Sequence, residues 1–241
     1  MDADALLEPL VASPGRTALL FDVDGTLSPI APAPDLAIVP EATRAELTRL
    51  AARYRLVACI SGRSGGEAAA LVGVPGVRTV GNHGLELSAR RSELEQAVAA
   101  FRSAVDGRWP VEDKGLTLAF HYRTASDEEA AIELLRVVAR EAEEAGLEAR
   151  WGRKVLEVRP RADEDKGTAV LALIAESGTR LALYAGDDTT DLDAFRGLED
   201  ARLEARVRVA VTSAEADPRL AASADLEVDG PEGLLDVMRQ L

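Results

Sequence analysis

The sequence predicts an α/β protein, a parallel sheet with helices on both faces and a smaller α+β domain inserted into it. Three observations carry that prediction. Short apolar runs suited to buried parallel strands alternate with amphipathic helical stretches toward both ends of the chain. The stretch from about 84 to 159 breaks that alternation. The 241 residues leave room for a core and a smaller second domain, since domains commonly run about 100 to 200 residues.

The first strand is TALLFDV (17 to 23), an apolar run ending in acidic residues and glycine, which suits a buried strand feeding a functional loop. A proline-rich loop follows. PEATRAELTRLAARY (40 to 54) opens on Pro and spaces Leu47, Leu50 and Ala51 as one helical face. RLVACI (55 to 60) reads as the next buried strand, ended by SGRSGG; EAAALVG reads as a short helix and VRTVG as another strand. Near the C-terminus the order repeats, with helices in DKGTAVLALIAESG, TDLDAFRGL and PEGLLDVMRQL and strands in RLALYAG, ARVRVAVTS and ADLEV. Such alternation favours a parallel sheet covered by helices on both faces.

Between these halves, SELEQAVAAFRSAV reads as a helix and GLTLAFHYR as an alternating strand. SDEEAAIELLRVVAREAEEAG is a long helix with Ser126 as its expected cap, and LEARWGRKVLEVRP is a strand pair around Gly152. The expected division is a core of residues 1–83 and 160–241 and an inserted domain of residues 84–159. The sequence shows no internal repeat or long flexible linker, so short hinges are expected to join the two.

Composition narrows the function. Apolar residues make up 47% and charged residues 29% of the chain, as in globular proteins. The formal net charge of −14 opposes binding to nucleic acid and to anionic membranes. No basic leader precedes an apolar stretch and no run of about 18 apolar residues occurs, so a cytoplasmic protein is expected. The single cysteine, Cys59, lies inside an apolar run and reads as a buried, inert thiol. Lysines number three, Lys114, Lys154 and Lys166, in a chain whose other cations are Arg, which raises the question of whether a compact charge is needed at each.

Asp22 and Asp24, two apart at a strand end in DVDGT, can project to one side of the chain. One carboxylate can attack phosphorus while the other protonates the leaving alkoxide and later activates water. The pair also suits a hard cation such as Mg²⁺. A calcium loop fails on spacing: its third acidic position is Thr26, its glycine position Leu27 and its closing glutamate position Ala33. A structural turn remains open for these five residues alone.

GDDTTD (186 to 191) brings Asp187, Asp188 and Asp191 to another strand end, where their mutual repulsion calls for a cation. Helix capping accounts for one of the three but not comfortably for all. Ser61 in ISGRS can hold phosphate oxygens at a helix start, and Lys166 in EDKGTAV can neutralise a phosphoryl group. Each signal is weak alone; in this order, at strand ends and helix starts, they describe one site.

The segments DVDGT, SGR, DKG and GDDTTD resemble the ordered motifs of the haloacid dehalogenase superfamily of phosphatases. With GNHGLE (81 to 86), LAFHYR (118 to 123) and VLEVRP (155 to 160), the wider pattern resembles the trehalose-6-phosphate phosphatase family, over residues 17 to about 196. The resemblance implies a Rossmann-like core with an inserted cap closing over a sugar. It implies Asp22 as nucleophile, Asp24 as acid and base, and Ser61 and Lys166 as phosphate grips. Asp187 becomes a Mg²⁺ ligand, Asp24 coordinates through its carbonyl, and Asp188 and Asp191 support the metal and Lys166. Thr26, Gly62, Arg63, His83 and Gly84 fall beside the substrate. Glu86, Lys114, Arg123 and Glu157 offer the acceptors and donors that sugar hydroxyls need.

His121 and Lys154 stay undecided between contact and surface roles, and Trp109 and Trp151 read as core packing. The reaction implied is hydrolysis of trehalose 6-phosphate through an aspartyl-phosphate on Asp22. Phosphatases of sucrose phosphate or mannosyl-phosphoglycerate, a phosphomutase, and a sugar-phosphate sensor without turnover are the competing readings. The expected partner is a small sugar phosphate, with no nucleic acid and no membrane. The sequence does not decide the oligomeric state, for which a monomer is the working expectation.

Overall fold

A computed structural model of the chain describes residues 3–32, 34–105, 107–123, 125–152, 154–213 and 217–241. Ala33, the closing position of the rejected calcium loop, lies outside them.

The chain begins with α1 (Ala3–Ala12), β1 (Thr17–Phe21), α2 (Glu41–Arg53), β2 (Leu56–Ile60), α3 (Gly65–Val72) and β3 (Arg78–Val80). Next come α4 (Arg91–Ala104), β4 (Glu112–Asp113), β5 (Leu118–His121), α5 (Glu128–Glu144), β6 (Leu147–Gly152) and β7 (Val155–Pro160). It ends with α6 (Lys166–Ser177), β8 (Leu181–Gly186), α7 (Asp191–Asp200), β9 (Ala205–Thr212), α8 (Pro218–Ser223), β10 (Leu226–Asp229) and α9 (Gly230–Gln240). Two compact units result, Met1–Leu87 with Glu164–Leu241, and Ser88–Asp163.

The first unit is built on a six-stranded sheet of order β10-β9-β8-β1-β2-β3, parallel throughout. Because side chains alternate across a strand, both faces of its central strands are apolar and both are covered. Leu19 and Phe21 of β1, Cys59 of β2 and Leu183 of β8 pack with Leu7 of α1, Leu47 of α2 and Met238 of α9. On the other face Leu20, Ile60 and Tyr184 pack with Leu173 of α6 and Phe195 of α7. Register aligns Phe21 with Cys59 on one side and Ala185 on the other, so the chain leaves β1, β2 and β8 at one edge of the sheet. That edge carries the acidic and serine motifs, at the point where the connections turn to opposite sides.

The second unit is an antiparallel sheet of order β4-β5-β7-β6. Leu118, Phe120, Leu156 and Val158 form its apolar face against Phe101 of α4 and Leu135 and Val138 of α5. Glu157 stands opposite Ala119 and Arg150 in the register.

Several local expectations need correction. Helix α1 is not foreseen: its acidic start and Pro9 obscure a stripe of Leu6, Leu7, Leu10 and Val11 that packs into the core. The cap of α5 is Asp127, whose carboxylate accepts the Ala130 amide at 3.0 Å, rather than Ser126. The strand at 118–121 does not alternate in burial; Leu118, Ala119 and Phe120 are all covered. Trp109 packs against the second unit's core, whereas Trp151 is 45% exposed and meets only the edge of Tyr122 among rings of the described residues. Cys59 is buried, and burial pushes its thiol well above the ordinary range. Among the described residues no helix is long and apolar enough to cross a membrane.

Candidate active site

The loop after β1 is set by its own backbone. The Asp22 amide donates to Ala185 O at 2.8 Å, and Gly25 turns the chain at φ +90°, with its amide on Ser28 O at 2.8 Å. A Cβ at Gly25 would lie 2.0 Å from Asp187 Oδ2, so the turn and the approach of the two acidic loops both require glycine. Thr26 Oγ1 then donates to Asp187 Oδ1 at 3.0 Å, which fixes that carboxylate.

Lys166 is the first residue of α6, whose start is secured by a capping box between Asp165 and Thr168. Its ammonium donates to Asp22 Oδ1 and to Asp191 Oδ1, each at 2.7 Å. Asp191 is wholly buried and accepts four hydrogen bonds. Tyr184 Oη and Lys166 Nζ donate to Oδ1, and the Asp187 and Asp188 amides donate to Oδ2 at 2.9 and 3.0 Å. Its lone pairs are therefore taken. Tyr184, which the sequence reading missed, could have been found as the polar tip in the apolar strand RLALYA.

The charges do not balance. Among the described residues, Asp22, Asp187, Asp188 and Asp191 face one ammonium, that of Lys166. Burial, only partly offset by Lys166, raises Asp22 well above the usual carboxylate range, with Asp191, Asp187 and Asp188 adding to the rise. Burial and the neighbouring Asp191 and Asp188 lift Asp187 to about 7. Burial also works to raise Asp188, but Lys166 and the Thr190 donors hold it below its ordinary value. Burial alone would depress Lys166; Asp191 and Asp22 outweigh it and keep the ammonium charged.

Oxygens of Asp22, Asp187 and Asp191 lie within 4.8 Å of one another. With Asp191 saturated, Asp22 and Asp187 are the donors left in that group, and they and the excess of negative charge fit a hard divalent cation. The side chains of Asp24 and Asp188 do not join that group. Asp188 Oδ1 accepts the Thr190 amide and hydroxyl, at 2.7 and 2.6 Å.

Ser61 follows β2, with its amide on Val80 O at 2.9 Å and its oxygen accepting the Arg63 amide at 3.2 Å. Arg63, expected beside the substrate, spends its guanidinium on both oxygens of Asp24 and on Pro34 O. His83 lies over the same loop: a Cβ at Gly62 would come within 2.7 Å of its ring. Asn82, His83 and Gly84 all have positive φ, a cluster that bends this segment back so that the His83 amide reaches Ser61 O at 2.9 Å. Gly84 packs instead against the start of α6, where a Cβ would meet Asp165 O at 2.6 Å.

Glu86 accepts from the Gly65 and Gly81 amides at 2.7 and 3.2 Å and from the Asn82 side chain, so it braces the loop from within the first unit. The remaining expected contacts belong to the second unit. Lys114 Nζ stands 3.9 Å from Glu112 Oε2, which also meets His121 Nε2 at 2.7 Å. Glu112 joins these two although the sequence reading passed over it; its spacing of two from Lys114 was the available signal. Glu157 lies half-buried mid-strand, Arg123 is exposed just beyond β5, and Lys154 pairs with Glu128.

Sheet order and the ordered motifs at its strand ends define an α/β fold of the haloacid dehalogenase type. The chain belongs to the trehalose-phosphatase family, whose model matches residues 20–232. It is 37% identical to the trehalose-phosphate phosphatase of Mycobacterium marinum, over 75% of this chain and 51% of that protein. The chain thus spans about half the length of the curated relatives it matches. Among solved structures, Aspergillus fumigatus trehalose-6-phosphate phosphatase has a TM-score of 0.63 at 27% identity, covering 99% of this chain and 96% of that one. The C-terminal domain of the Candida albicans trehalose-6-phosphate phosphatase has a TM-score of 0.70 at 23% identity, covering 99% and 95%, and supports the fold alone.

Proposed function

We propose that this chain hydrolyses trehalose 6-phosphate to trehalose and phosphate, in the cytoplasm, with Asp22 as nucleophile and Mg²⁺ as cofactor. The observation that carries this reading is the buried Lys166–Asp22 pair, set beside Asp187 at the sheet edge. A carboxylate held by an ammonium, with a second carboxylate two residues on, suits in-line attack on a phosphate ester. Asp22 Oδ attacks phosphorus, the sugar oxygen leaves with a proton from Asp24, and water then cleaves the aspartyl-phosphate with Asp24 as base. Asp22 and Asp187 would hold Mg²⁺, which supplies positive charge against the phosphoryl oxygens. Asp191, saturated with donors, keeps Lys166 in place.

Ser61, Lys166 and the amides after Ser61 grip the phosphate in this reading, with Thr26 and Asp188 shaping the acidic loops. His83 over Gly62 is assigned to the substrate's phosphate end, and Gly84 and Glu86 to support of that loop. Lys114, Arg123 and Glu157 are assigned to sugar hydroxyls, so substitution of each is expected to raise KM more than it lowers kcat.

The test is phosphate release from trehalose 6-phosphate, sucrose 6-phosphate and mannosyl-phosphoglycerate, ranked by kcat/KM, with and without chelator. Trehalose 6-phosphate ranking first, with loss of turnover in Asp22→Asn, is the expected result. Turnover by Asp22→Asn would overturn the mechanism, and binding of the sugar phosphate without phosphate release would favour a sensor.

A further inference from the structure

Arg63 and Asp24 form a two-bond ion pair. Arg63 Nε donates to Asp24 Oδ2 at 2.7 Å and Nη2 to Oδ1 at 2.6 Å. The third nitrogen, Nη1, donates to Pro34 O at 3.0 Å, and the Arg63 amide donates to Ser61 Oγ at 3.2 Å. An ion pair of two loose surface side chains orients little. Here the guanidinium side chain is only 16% exposed and anchored at a third point. Asp24 for its part sits in a turn bridged to Ser28. The planar fork therefore sets the place and tilt of the carboxylate as a single ammonium could not.

We infer that Arg63 is a positioning residue that acts through Asp24, holding the acid–base carboxylate at the mouth of the phosphate loop before substrate arrives; this rests on the phosphatase reading above. For the acid step one of the two bonds gives way while the other holds. The released Asp24 oxygen takes up a proton from solvent and passes it to the sugar oxygen as the phosphorus–oxygen ester bond breaks and the Asp22–phosphorus bond forms. In the second half the same oxygen takes a proton from the water that attacks phosphorus. The Asp22–phosphorus bond then breaks and phosphate leaves; Asp24 returns its proton to solvent as its second bond to Arg63 re-forms, so both carboxylates are restored. Arg63 itself gains and loses nothing.

A residue that acts through the acid matters most when the leaving group needs a proton. The test compares kcat/KM for trehalose 6-phosphate, whose alkoxide is a poor leaving group, with kcat/KM for p-nitrophenyl phosphate, whose phenolate leaves unaided. Both report the steps up to phosphoryl transfer to Asp22, and their ratio within one variant is insensitive to the fraction folded. Asp24→Asn sets the benchmark. Arg63→Ala is expected to lower the sugar-phosphate value at least about ten-fold relative to p-nitrophenyl phosphate, within the range of acid–base contributions. Arg63→Lys should fall between, keeping charge but losing the fork.

Equal losses on both substrates would make Arg63 a grip on the phosphate and overturn the inference. Unchanged values on both would overturn it as well. A wild-type chain that releases phosphate from neither substrate would instead bring down the phosphatase reading itself.

Discussion

Lys166 Nζ donates to Asp191 Oδ1 at 2.7 Å, and the two side chains are 2% and 0% exposed. Breaking a buried pair by removing one partner leaves an uncompensated charge, at a cost of about 3 to 5 kcal/mol. Lys166→Met keeps the volume of the stem and removes the charge. Its urea unfolding free energy is expected to fall by about that amount, along with loss of the proposed phosphatase turnover. A change within about 1 kcal/mol, the scale of a surface pair, would mean that Asp191 is stabilised by its other donors alone.

Tyr184 Oη reaches the same oxygen of Asp191 at 2.6 Å from inside the sheet. Tyr184→Phe deletes one hydrogen bond to a buried carboxylate and leaves ring packing against Phe195 in place. A loss of about 1.5 to 3 kcal/mol is the expected outcome for a bond to a charged group, read from denaturant midpoints at unchanged slope. Because Lys166, Asp22 and Asp191 are joined in one network, combining it with Lys166→Met should give less than the sum of the two losses.

These two residues mark where the sequence could be read and where it could not. Asp22, Lys166 and Asp191 were legible because strand ends and helix starts announce themselves through apolar runs, glycine and capping residues, and the sheet collects such ends at one edge. Tyr184 was hidden because a tyrosine in an apolar strand looks like packing until its hydroxyl is seen to have a partner. Glu86 and Arg63 were assigned to substrate from their motifs, and the structure shows their polar atoms engaged with Gly65, Gly81 and Asp24. Competition among polar partners depends on distances across the fold, which spacing along the chain does not report. The cap of α5 slipped from Ser126 to Asp127 for a related reason, since either side chain can serve and only backbone direction chooses.

Away from the site, Arg208 holds Asp225 by two side-chain bonds and by its amide, at 2.8 to 3.0 Å. Burial works to raise Asp225, but the Arg208 hydrogen bonds outweigh it and set the carboxyl below its ordinary value. A group whose folded pKa is depressed contributes stability above its unfolded pKa and loses it as pH falls through the folded value. Asp225→Asn is thus expected to lower thermal stability near pH 6 and to converge with the wild-type chain below the ordinary carboxylate range. Parallel curves across that acid range would show that Asp225 does not titrate with folding.

Asp187 gives the most direct test of the proposed cation site. Its carboxyl is lifted to about 7 by burial and by Asp191 and Asp188, so in metal-free protein it is a net burden on the fold. Asp187→Asn removes that charge while the amide oxygen can still accept from Thr26. The metal-free variant should therefore melt higher than the metal-free wild-type chain. Added Mg²⁺ should reverse the order, since a ligand bound only by the folded state stabilises by about 2.7 kcal/mol at a hundred times its dissociation constant. Removing a ligand forfeits most of that gain. Thermal melts of both proteins, across a Mg²⁺ titration and in chelator, separate the two effects without any assay of turnover. A variant that melts lower in chelator would mean that Asp187 is held by Thr26 and the Gly25 turn more strongly than it is repelled by its neighbours. An equal rise for both proteins on adding Mg²⁺ would place the cation elsewhere.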